Sequence, residues 1–71
     1  MSNATVERMK MAVKLHKELD EVAAGKRGFV SFTSRRANEF GISQEVAANW
    51  AFKAGLISYN HGRFGLCFSR P

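Results

Sequence analysis

Between Val6 and Ala24 apolar residues recur at helical spacing. Val6, Met9, Ala12, Val13, His16, Leu19 and Ala23 share one face, and Met11, Leu15 and Val22 make an adjoining strip. A first helix is expected over residues 6–24, begun at Thr5 with Glu7 in its first turn and stopped at Gly25. Its polar side is expected to be stitched by Lys14–Glu18 and Lys17–Glu21 at i,i+4. The apolar arc is wide enough that both of its sides call for cover. Contact with a second copy through Met11, Leu15 and Val22 is one way to supply it. His16, inside the arc, reads as a hydrogen-bonded core histidine.

After the basic turn Lys26-Arg27-Gly28, the run Phe29-Val30-Ser31-Phe32 is β-prone and short, as one strand would be. Ser34 or Thr33 then caps a second helix through Arg35–Phe40, which Gly41 ends. Only Ile42 separates that glycine from the next cap, Ser43. The two short helices must therefore cross steeply, as in a helix-turn-helix. The third helix, from Ser43 to Gly55, is expected to turn Val46, Ala47, Trp50, Ala51 and Ala54 inward, with Trp50 as its one large anchor. Gln44, Glu45, Ala48, Asn49, Phe52 and Lys53 then cover its outer side. Two strands close the chain, Leu56–Tyr59 and Arg63–Phe68, around the turn signal Asn60-His61-Gly62. A two-residue loop would pair Tyr59 with Phe64 and Ile57 with Leu66; a three-residue loop with Gly62 in a bulge would pair Ser58 with Phe64. The first has the cleaner apolar face and is the expected register.

Composition narrows the setting. Seventy-one residues make one domain, 1–71, with an ordered core over about 5–68 and a thin stability margin. The apolar fraction of 45% is that of a folded protein. No apolar run approaches the roughly 20 residues of a membrane span, and no signal-peptide core is present, so no membrane partner is expected. The single cysteine, Cys67, cannot form an intrachain disulfide, which suits a reducing, cytoplasmic setting. The net charge of +5 is unevenly spread. Through Gly25, Arg8, Lys10, Lys14 and Lys17 balance Glu7, Glu18, Asp20 and Glu21. From Lys26 onward seven bases face only Glu39 and Glu45, a one-sided excess that suits a polyanion such as nucleic acid.

The order helix, short strand, helix, tight turn, helix, hairpin resembles the winged-helix family of helix-turn-helix domains. FVSF, TSRRANEFGIS, the AGLI ending of the third helix and ISYNHGRFGLCF as the wing carry the likeness, which spans Thr5 to Phe68. It implies an α+β fold, a single winged-helix domain with a three-helix core and a small antiparallel wing. Such domains mostly bind DNA, with the third helix in the major groove and the wing beside the backbone or minor groove; a minority bind RNA or proteins. One departure is the alanines and Trp50 where many members carry a large aliphatic near the middle of helix 3.

On that reading Lys26, Arg27, Arg35, Arg36 and Lys53 anchor phosphates, backed by Ser34 and Ser43 at the helix starts. Gln44 and Asn49 offer amides that pair bidentately with adenine. Asn60, His61 and Arg63 stand at the wing tip, although a tight turn by itself accounts for the asparagine and for Gly62. The expected function is a small, sequence-specific transcriptional regulator or recombination accessory factor of a cell or mobile element, located with the nucleoid and bound to double-stranded DNA. The alternative is a protein adaptor or inhibitor, such as a small phage protein acting on host machinery, with Phe52 at the contact. An enzyme is not expected: there is no paired-carboxylate site, phosphate-binding glycine loop or nucleophile–base grouping. No cofactor or metal is expected either, because one cysteine and two distant histidines make no ligand set.

Overall fold

The computed structural model describes residues 3–71, with side chains from Thr5 onward. Its elements are α1 (Asn3–Ala23), β1 (Phe29–Ser31), α2 (Ser34–Phe40), α3 (Gln44–Lys53), β2 (Ile57–His61) and β3 (Gly65–Ser69), in the order expected. The chain is a small α+β domain with a three-stranded antiparallel sheet of order β1-β3-β2.

α1 starts earlier than expected. Thr5 lies inside the helix and Glu7 beyond its first turn, because nothing from Asn3 onward interrupts helical geometry. The end is as read: Gly25 takes φ +79, and the Gly25 and Lys26 N–H groups donate back to the Val22 and Glu21 carbonyls at 3.0 and 2.9 Å. Those two bonds are a Schellman close, which needs a residue tolerant of positive φ. Thr33, not Ser34, is the N-cap of α2, its hydroxyl accepting the Arg36 N–H at 3.2 Å. Gly41 closes α2 at φ +68, and Ser43 caps α3 by accepting the Val46 N–H at 3.1 Å.

The core gathers Leu15, Leu19 and Val22 of α1 with Val30, Phe32, Phe40, Ile42, Ala47, Ala51, Leu56 and Phe68. Two helix faces therefore differ from expectation. On α1, Leu15 and Val22, assigned to a contact with another copy, are fully buried in the domain's own core, and Met11 packs against it. Met9 and Val13, assigned inward, are 58% and 69% exposed. A wide apolar arc offers two possible centres; α2, α3 and the sheet all pack on one of them. His16 is likewise outside, stacked on Trp50 at 4.3 Å between ring centroids. On α3 the face is rotated by a fraction of a turn. Ala47 and Ala51 are buried, Trp50 is half-buried at the margin, and Val46 is exposed. Small residues let α3 lie close to the core, leaving no room beneath it for an indole.

The hairpin register also differs. His61 pairs with Gly65, Tyr59 with Cys67 and Ile57 with Ser69, and Gly65 rather than Gly62 takes positive φ. The strands accordingly run 57–61 and 65–69, not 56–59 and 63–68. The reason is the third strand. β3 pairs on its other edge with β1, placing Val30 opposite Phe68, and the Phe32 N–H donates to the Leu66 carbonyl at 2.7 Å. A register chosen for the hairpin alone does not meet those demands.

Candidate nucleic-acid interface

α3 and the hairpin hold the residues expected to read DNA. Of the α3 side chains assigned outward, Glu45, Asn49, Phe52 and Lys53 are exposed, Phe52 by 79%. Ala48 packs partly on the core. Gln44 is half-buried, and its Nε2 donates to the Phe32 carbonyl at 2.9 Å, tying the start of α3 to the end of β1. Its amide is engaged, so Asn49 is the one expected base reader whose side chain points freely outward.

The basic residues divide sharply. Arg36 is mostly covered: its guanidinium donates to the Ser31 carbonyl at 2.6 Å and to both Glu18 oxygens at 2.9 and 3.2 Å. It also lies over the Phe40 ring at 4.8 Å. Arg27 shares the same carboxylate, reaching Glu18 and Glu21 at 3.4 Å each. Glu18 thus binds α1 to α2 and to the turn before β1, in place of the Lys14 partner expected for it; Glu21 goes to Arg27 and not to Lys17. Lys14 instead lies over the Phe40 ring at 5.6 Å. Arg35 is exposed and, among the described residues, pairs only with Glu39, at 3.4 Å one helical turn on. Such exposed pairs contribute little. Lys26, Lys53, Arg63 and Arg70 are exposed and form no ion pair among the described residues.

At the hairpin tip His61 has a structural task that residue type alone did not indicate. Its Nδ1 accepts the Arg63 and Phe64 N–H groups at 3.1 and 3.3 Å, closing the loop. Its ring leans on Phe64 with centroids 4.9 Å apart. Arg63 also lies over the Phe64 ring, 5.8 Å from its centroid, and Asn60 is exposed. Ser34, the first residue of α2, and Ser43, the cap of α3, are both exposed.

Cys67 is fully buried, its thiol donating weakly to the Gly65 carbonyl at 3.5 Å, and burial pushes its pKa up. That makes it a poor nucleophile at neutral pH. No group of His, Cys, Asp and Glu able to hold a metal occurs among the described residues. No helix among the described residues is long and apolar enough to cross a membrane. Comparison of the chain with protein-family models, curated proteins and solved structures finds no match.

Proposed function

We propose that this domain binds double-stranded DNA as a winged helix, with α3 in the major groove and the β2–β3 hairpin as the wing beside the backbone. The observation carrying the proposal is that Lys53 on α3 and Arg63 at the hairpin tip are both exposed and unpaired, in a stretch where no acid follows Glu45. Lys26, Arg35, Lys53 and Arg63 contact phosphates and set register; Asn49 meets a base edge. Arg27 and Arg36 act indirectly, by holding α2 against α1. With one free amide on α3, sequence preference rests on few contacts. The role is that of a small regulator or recombination accessory factor whose occupancy follows its concentration.

The test is duplex affinity measured by fluorescence anisotropy across salt. Log affinity falls linearly with log salt, with a slope of about −0.9 per neutralised phosphate. Lys53→Ala and Arg63→Ala each flatten it by about one unit. A flat dependence in the unaltered protein overturns the proposal.

A second reading is favoured by one feature, the 79% exposure of Phe52, two turns along α3 from the exposed Glu45. An exposed ring on a helix that also exposes a carboxylate suits a protein contact better than a phosphate-lined groove. In that reading the domain is an adaptor or inhibitor, and Phe52→Ala abolishes partner capture while leaving weak DNA binding unchanged.

A further inference from the structure

The outer face of the sheet carries half-exposed apolar side chains around a buried centre, Cys67. Phe29, Ser69 and Ile57 are directly opposite one another across the three strands, as are Ser31, Cys67 and Tyr59. Opposed residues share a face, so these two rows lie on the side away from Val30 and Phe68, which belong to the core. Phe29, Tyr59 and Phe64 are 41%, 37% and 42% exposed, and the Phe29 and Phe64 rings meet at 5.7 Å. Phe29 and Tyr59 also line an open depression of about 700 Å³, together with Ser69, Arg70 and the backbone of Gly28 and Gly55. Arg70 lies against Gly25, where an added Cβ would stand 3.3 Å from its guanidinium nitrogen. No acid lines the depression.

We propose that this face is a stacking platform for single-stranded DNA, with unpaired bases on Phe29 and Tyr59 and the backbone drawn to Arg70 and Arg63. Three features select this occupant. Half-exposed rings offer flat surfaces to base faces, and a base–aromatic stack tolerates any sequence. Duplex DNA buries its base faces, so a stacking site of this kind takes only separated strands. A second copy is disfavoured by charge: β2, β3, their loop and the C-terminal residues hold Arg63 and Arg70 and no acid, so pairing two such faces brings like charges together. That the face takes strands stands independently of the duplex reading; that the strand is DNA rests on it.

The test uses the full chain and a fluorescein-labelled thymidine strand of roughly 15 nucleotides, with a uridine strand and a duplex as the other arms. Phe29→Leu and Tyr59→Leu keep apolar volume but remove the stacking ring. Each is expected to weaken thymidine-strand binding by roughly tenfold while leaving duplex binding and the thermal midpoint unchanged. Arg70→Gln is expected to flatten the strand's salt slope by about 0.7. Lys53→Ala, which weakens duplex binding, is expected to leave strand binding intact, so failure of the two sites is separable. The proposal is overturned if the unaltered protein binds no strand, or if the folded leucine variants bind it as before. It also fails if strand and duplex are lost together, or if sedimentation shows a dimer that Tyr59→Leu dissociates. Tighter binding of the uridine strand overturns the assignment to DNA.

Discussion

The seam between α1 and α2 and the surface made by α3 with the hairpin use the same residue types to opposite ends. At the seam, Glu18 draws in Arg36 and Arg27, and Arg36 is closed further by a backbone carbonyl and two phenyl rings. Its charge is satisfied within the fold. On the other surface Lys53 and Arg63 are exposed and meet no carboxylate among the described residues. Neighbours in the chain can fall on opposite sides of this divide. Arg35 and Arg36 are adjacent, yet their side chains are 89% and 25% exposed. A basic residue's availability to a partner is decided by whether a carboxylate waits on the adjoining element, and a charge count along the chain does not show that.

Phe32 joins the two regions and should be the most damaging site to alter. It is fully buried, meets Phe40 edge-on and Phe68 face-on, and its backbone bonds to Leu66 and to Gln44. Phe32→Ala is expected to cost about 3–5 kcal/mol, enough to unfold much of a domain this small, read from urea melts. Retained stability would mean that the seam and the α3 surface fold independently.

Glu18→Ala comes next. It leaves the partly buried Arg36 without its carboxylate and is expected to lower stability by about 2 kcal/mol. Glu45→Ala, on the open surface, should stay within about 0.5 kcal/mol. Equal effects would erase the contrast between the two regions.

A pH titration sharpens the same point for the sheet. Burial raises the Cys67 pKa above its ordinary value of 9.0, so the folded state keeps its thiol proton while the unfolded chain loses it. This contribution is therefore complete below the unfolded value and is lost as pH rises through and above it. Thermal midpoints should fall above about pH 9, and Cys67→Ala should flatten that fall. The smallest effect is expected at Arg35. Arg35→Ala should change stability by less than about 0.5 kcal/mol because its pair with Glu39 is exposed, whereas Arg36→Ala should measurably lower the thermal midpoint.

Much of the local structure was legible from residue type. Gly25, Gly41 and Ser43 ended or began helices where their backbone preferences require, and the order of elements followed. These are short-range effects, settled within one helical turn. Three things depended on partners distant in the chain. The buried side of α1 was chosen by the elements packing on it, which put Leu15 and Val22 inside and Met9 and Val13 out. The hairpin register was chosen by β1, because β3 must satisfy both neighbours at once. Glu18 was taken by Arg36, eighteen residues away, in preference to Lys14. The aromatic outer face of the sheet belongs with these: Phe29 and Phe64 are thirty-five positions apart, and only strand pairing brings their rings together. Sequence alone determined the order of the elements, where the three helices stop, and that the positive charge is concentrated after Gly25. The tertiary structure decided which of those charges and rings are left for a partner, because burial and ion pairing are properties of neighbours in space.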